Sequence, residues 1–198
     1  MSSCIFLQET LQGLQCAKLE GFDGIVFFAD HARNSGHVVP QNQTANEYLP
    51  LFFSFLAGAH ADLGQFDEAW HWIGEAMARV ESSKEKWAEA EIHRVAGEIA
   101  LRSPVPDASR AESCFNTALA IARQQQAKSW ELRTATSYAR LMREQGRVRE
   151  ARDLLAPVYG WFTEGFATKD LREAKALLDE LGERAPSLTT RAAAAASG

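Results

Sequence analysis

The apolar positions of this chain recur at spacings of three and four residues, the period of an α-helix with one side turned inward. Between 107 and 125 the series is Ala111, Phe115, Ala118 and Ala122; between 128 and 145 it is Leu132, Ala135, Ala139 and Met142. The pattern predicts three pairs of helices: 45–63 with 67–81, 86–102 with 107–125, and 128–145 with 148–160. Leu171, Ala174, Leu177, Leu178 and Leu181 predict a last helix over 169–182. Gly64 and Gly146 break the first and third pairs, and Ser103-Pro104-Val105-Pro106-Asp107 breaks the second. Pro106 cannot continue the preceding helix, and Asp107 suits an N-cap.

The pairs repeat. Ala69, Ala111 and Ala151 lie 42 and 40 residues apart, each near the start of the second helix of its pair. Aligned on the alanine, the runs Leu56–Trp70 and Tyr138–Arg152 match Gly64 with Gly146, Phe66 with Val148 and Glu68 with Glu150. Self-similarity at such a period predicts an all-α solenoid, in which each repeat packs on its neighbours. The alanines have a physical reason, since only a small side chain lets two helix backbones cross closely. Ile73, Phe115 and Leu155, four residues on, fill the space beyond the crossing.

Aromatics recur as well: Tyr48, Trp87 and Trp130 each sit near the start of a first helix. They are either a ladder of ligand-stacking rings or packing between repeats, and the burial tendency of aromatics favours packing. The run 158–166, V-Y-G-W-F-T-E-G-F, has glycines that break a helix and aromatics expected to cover a surface. The helix that follows is expected to cap the stack, because repeat arrays need a polar end. Residues 1–43 are less regular. Leu7, Leu11 and Leu14, and the burst Ile25–Ala29 after Gly21 and Gly24, predict two short helices, and the polar run 38–43 a linker. The expected organisation is an N-terminal helical segment over 1–43, a repeat domain over 44–182, and a disordered or foreign tail over 183–198.

The turn sequence and its spaced small residues resemble the tetratricopeptide repeat, in a longer variant. A closer resemblance covers much of the chain. The runs Y-L-P-L-F-F-S-F-L-A from Tyr48, L-G-Q-F-D-E-A-W from Leu63 and A-E-I-H-R-V-A-G-E-I-A-L from Ala90 are similar to the C-terminal repeat region of bacterial adenylate/guanylate cyclase-like proteins. Q-Q-Q-A-K-S-W-E-L-R from Gln124 and A-R-D-L-L-A-P-V-Y-G-W-F-T-E-G-F from Ala151 extend it. In that family a cyclase domain precedes a nucleotide-binding regulatory ATPase module and then helical repeats. The resemblance implies a right-handed solenoid of antiparallel helical hairpins with a C-terminal capping helix. It implies a protein-binding scaffold, a remnant or free-standing relative of the family's regulatory end. The expected partner is a cyclase or ATPase module, or an acidic peptide segment. A second function class is a small-molecule effector sensor, with the effector in the concave groove or under Trp161–Phe166. The family's catalysis is not carried over, for the chain has no G-x-x-x-x-G-K-[ST] loop and no Gly-Lys pair. Nor does it show the paired aspartates on a sheet that a cyclase needs.

Composition narrows the picture further. A net charge of −5 gives no general attraction to nucleic acid. Cys4, Cys16 and Cys114 lack C-x-x-C spacing, which argues against a disulfide framework, and Cys114 is expected as a buried reduced thiol. No basic segment precedes a long apolar run at the N-terminus, and the most apolar stretch, Leu49–Ala59, is about half a bilayer span. A cytoplasmic protein with no membrane partner is expected. Among His31, His37, His60, His71 and His93 no pair has H-E-x-x-H spacing. His60 is expected as a packed ring, and no G-x-S-x-G elbow or Cys–His pair suggests a nucleophile. No enzymatic activity, metal or cofactor is expected.

The remaining signal is basic. In a stacked array the first helices line the concave face, and Arg94, Arg102, Arg133, Arg140 and Arg143 are placed to turn toward it. Arg133, Arg140 and Arg143, at spacings of seven and three, share one side of a helix. Two readings stand: a solvated face with internal ion pairs, or a basic groove for an acidic peptide or an anionic segment of a partner. At the other end, a partly uncovered Leu49–Leu56 helix would favour self-association into a homo-oligomer.

Overall fold

The computed structural model describes residues 41–84 and 86–183, with side chains from Tyr48 onward. The chain divides into two units between Gln43 and Thr44. The expectations for Cys4, Cys16, His31, His37, the two short N-terminal helices and most of the tail lie outside the described residues.

The fold is all-helical: among the described residues there are seven helices and no strand. These are α1 (Gln41–Asp62), α2 (Phe66–Ser83), α3 (Glu89–Arg102), α4 (Ala108–Gln124), α5 (Lys128–Glu144), α6 (Val148–Tyr159) and α7 (Lys169–Glu183). Two N-termini depart from the spacing-based expectation. α1 begins inside the polar run read as a linker, because Gln41, Asn42 and Gln43 are polar but are not breakers. α3 starts later than residue 86, because Glu89 N–H bonds the Lys86 carbonyl at 3.1 Å, a tight turn ahead of the α-helix. Glu183, assigned to the tail from the sequence, is the last residue of α7.

Three of the connections are one turn used three times. The residue after the turn donates its N–H to the carbonyl five positions back: Gln65 to His60 at 2.9 Å, Ala127 to Ala122 at 2.9 Å, and Arg147 to Met142 at 2.8 Å. This six-to-one bond closes a helix C-terminus when the preceding residue is left-handed. Gly64 (φ +75°) and Gly146 (φ +78°) take that position, and Gln126 (φ 55°) takes it between α4 and α5. The α3–α4 connection differs. There the prolines intervene, and Asp107 caps α4 by accepting the Arg110 N–H at 2.9 Å.

α3 packs on α4 and α5, α4 on α5, α5 on α6 and α7, and α6 on α7. Ala69, Ala111 and Ala151 are fully buried, and Ile73, Phe115 and Leu155 are buried beside them. At the α3–α4 crossing a Cβ on Gly97 would lie 2.6 Å from the Phe115 ring, so the ring sits against the α3 backbone where a side chain at 97 would have to displace it. Tyr138 of α5 lies against the other side of this contact, 5.6 Å from Phe115 between ring centroids. One apolar core runs from Ala100 through these residues to Leu171, Ala174, Leu177 and Leu181 of α7. The aromatic run before α7 is only partly used for covering. Phe162 packs against the core, whereas Trp161 and Phe166 remain 58% and 46% exposed. No helix among the described residues is long and apolar enough to cross a membrane.

Candidate functional site

Three helices contribute charged stripes to one surface. On α3, Glu91, Arg94, Glu98 and Arg102 follow at three and four residues and so lie along one side. On α5, Arg133, Ser137, Arg140 and Glu144 do the same, and on α7, Asp170, Glu173 and Glu180. Because α3 touches α5 and α5 touches α7, the stripes are neighbours.

All five arginines singled out from the sequence meet carboxylates of the chain itself. Arg94 donates to Glu91 with a fork, Nε to Oε2 at 2.8 Å and Nη2 to Oε1 at 2.9 Å, and its Nη1 reaches Glu98 at 2.5 Å. Ser137 of α5 donates to the same Glu98 oxygen at 2.8 Å. Arg102 bonds Asp62 of α1 at 2.5 Å and lies 3.9 Å from Glu98. Arg133 lies between Glu91, at 3.0 Å, and Asp170 of α7, at 3.8 Å. Asp62, Arg102, Glu98, Arg94, Glu91, Arg133 and Asp170 therefore form one alternating chain of charge from α1 to α7. Arg140 and Arg143 stand beside it in separate pairs with Glu173 and Glu180, at 2.6 and 2.7 Å. The surface is a mosaic, and the carboxylates on it outnumber the arginines.

Its centre is dry. Glu91 is fully buried and Arg94 nearly so. Burial alone would raise the Glu91 pKa, but the charges of Arg94 and Arg133 and the Arg94 hydrogen bonds outweigh it and hold the carboxyl below the usual range. Burial likewise opposes the charge on Arg94, and Glu91 and Glu98 more than compensate. Glu91 is thus a fixed anion at neutral pH and lacks the poise near pH 7 that proton transfer needs. Glu131, at the start of α5, is a second buried acid, bonded by Arg123 at 2.9 Å and Lys128 at 2.7 Å.

The other candidates resolve into packing. Trp87 packs between Tyr48, edge-on at 5.2 Å between centroids, and Trp130, tilted at 5.8 Å. His60 is half-buried, its Nδ1 2.6 Å from Gln65 Oε1 across the α1–α2 turn. Cys114, expected as a buried thiol, is half-buried, and burial pushes its thiol pKa up, away from the reactive thiolate. Among the described residues no three His, Cys, Asp or Glu side chains are grouped to hold a metal ion.

Sequence reasoning missed the acids that complete the network: Asp62, Glu91, Asp170, Glu173 and Glu180. Part of the signal was available. The order Glu91, Arg94, Glu98, Arg102 is a run of opposite charges at helical spacing. The α7 acids recur on one side in the same way, but nothing local says that they meet α5. Compared with protein-family models, curated proteins and solved structures, the chain matches none.

Proposed function

We propose that this chain is a protein-binding helical-repeat scaffold without catalysis of its own. It is read as a right-handed solenoid of antiparallel hairpins of the tetratricopeptide kind, capped by α7. The resemblance to the repeat end of cyclase–ATPase signalling proteins supplies the expected setting, a regulatory module that engages a cyclase or ATPase domain.

One observation carries the reading. Side chains on the α1, α3, α5 and α7 surface meet partners about one repeat further along the chain. The separations are 40 residues for Asp62 and Arg102, 39 for Glu98 and Ser137, 33 for Arg140 and Glu173, and 37 for Arg143 and Glu180. These offsets approximate the 42- and 40-residue spacing of the buried alanines. The residue numbers of the paired side chains also rise together, Arg133, Arg140 and Arg143 with Asp170, Glu173 and Glu180, as they do when two helices run the same way side by side. That is the contact pattern of a quasi-one-dimensional array, whose extended face suits a protein segment. A surface with both signs of charge selects by complementarity, which a uniform polyanion such as nucleic acid cannot supply.

The test is to capture a partner with the full chain and map the protected amides by hydrogen exchange. Protection along α3, α5 and α7 is expected. Protection confined to other surfaces would overturn the assignment of the face, and metal-dependent conversion of ATP or GTP to a cyclic nucleotide by the purified chain would overturn the scaffold reading.

A further inference from the structure

α7 has two sides with different tasks. Leu171, Ala174, Leu177 and Leu181 enter the core. Asp170, Glu173 and Glu180 meet Arg133, Arg140 and Arg143 of α5 one to one and in the same order, at 3.8, 2.6 and 2.7 Å. Each of these three α5 arginines therefore already faces a carboxylate from α7, Arg133 lying nearer still to Glu91 of α3, at 3.0 Å. The arginine side chains are nevertheless 32%, 40% and 24% exposed, so their outer edges remain within reach of solvent.

We propose that α7 is a built-in occupant of the α5 arginine row: an intramolecular acidic helix that closes this surface and that an acidic partner segment must displace. The proposal rests on the protein-binding reading and specifies its control. Three features support it. The pairs match in register, which random surface charges do not. All three cross between helices, so they tie α7 to α5. And the pairs are partly solvated, so they weaken with salt and yield to competing carboxylates in a way that the buried Glu91–Arg94 fork does not. The apolar anchors keep the default state closed. Opening draws on the local unfolding available to a helix held from one side.

The experiment compares the wild-type chain with Glu173→Gln/Glu180→Gln, which keeps size and polarity but removes two of the three acids. Hydrogen exchange reports α7, with α4 as the internal reference, and poly-glutamate at low salt reports whether the arginines are free. In the variant, α7 amides are expected to exchange several-fold faster while α4 amides are unchanged. Poly-glutamate is expected to bind at least tenfold more tightly than to wild type. Adding Arg140→Gln/Arg143→Gln should abolish that gain. Equal α7 exchange in the two proteins would overturn the proposal, and so would faster exchange without tighter binding, or a gain that survives loss of the arginines. If the latch behaves as expected but the full chain captures no protein partner, the latch stands and the scaffold reading falls.

Discussion

α5 meets its neighbours in two unlike ways. Against α4 the contact is apolar and close: Tyr138 lies on Phe115, which in turn fills the space left by Gly97. Against α3 and α7 an ionic contact is added along one side, through Arg133, Ser137, Arg140 and Arg143. The apolar contact stabilises through removed water and dense packing, and any residue set of the right volume satisfies it. The ionic contact gains less, because desolvating Glu91 and Arg94 opposes much of their attraction. What it adds is selectivity, since a displaced register would leave buried charges unpaired.

The largest effect should come from breaking the ionic contact on one side only. Glu91→Ala leaves the nearly buried Arg94 without its main acceptor and takes from Arg133 its nearer one. The expected loss is about 3–5 kcal/mol in urea unfolding. Removing both charges sharpens the comparison. Glu91→Leu with Arg94→Met should be less destabilised than Glu91→Ala, because no unpaired charge remains between these two positions. A double variant as unstable as the single would show that the network contributes stability beyond charge balance.

The apolar contact should fail by overpacking. Gly97→Ala sets a methyl against a ring with no free space, and Ala111→Trp places an indole at a fully buried helix crossing. Each should cost about 1–3 kcal/mol, visible as a fall in melting temperature. An unchanged melting temperature in either would mean that the α3–α4 crossing adjusts freely.

pH separates the two contacts more gently. The folded-state pKa values of Glu91 and Glu131 lie below their unfolded values, so the unfolded chain binds more protons in the acid range. Their stabilisation is therefore full above the ordinary carboxylate range and is lost as pH falls through the depressed folded values. The unfolding midpoint should be flat in this respect above about pH 5 and should drop below about pH 4. Glu91→Gln should flatten part of that drop, whereas Gly97→Ala should leave its shape unchanged.

The smallest effect is expected at the rim of the network. Asp62 and Arg102 are exposed, and Asp62→Asn should change stability by less than about 1 kcal/mol, with the difference vanishing at high salt. A loss as large as that from Glu91→Ala would mean that the charge chain acts as a unit from α1 to α7.

Much of this architecture was legible in the chain. Ala111, Phe115, Ala118 and Ala122 announce a buried helix side, Gly64 and Gly146 announce left-handed turns, and Asp107 announces a cap. Each of these signals acts within a turn or two of helix. The aromatics of 158–166 were expected to cover a surface, and Trp161 and Phe166 remain substantially exposed. Aromatic character reports a tendency to be buried, but whether a surface is present to receive the ring depends on how α6 and α7 meet. The break between α4 and α5 was legible, but not that it repeats the turn of Gly64 and Gly146, because Gln126 holds the left-handed conformation for which glycine is the usual signal.

The sequence by itself determined where the chain is helical, where it turns and which side of each helix is apolar, because those properties follow from periodicity, backbone conformation and nearby caps. It also placed five arginines on the right helices. Only the tertiary structure decided that they are neutralised, that Glu91 is the buried anion at their centre, and that α7 covers part of the row. The physical reason is distance along the chain. Arg102, Arg140 and Arg143 find their closest carboxylates 33 to 40 residues away, and charge, unlike hydrophobicity, carries no period that names a distant partner.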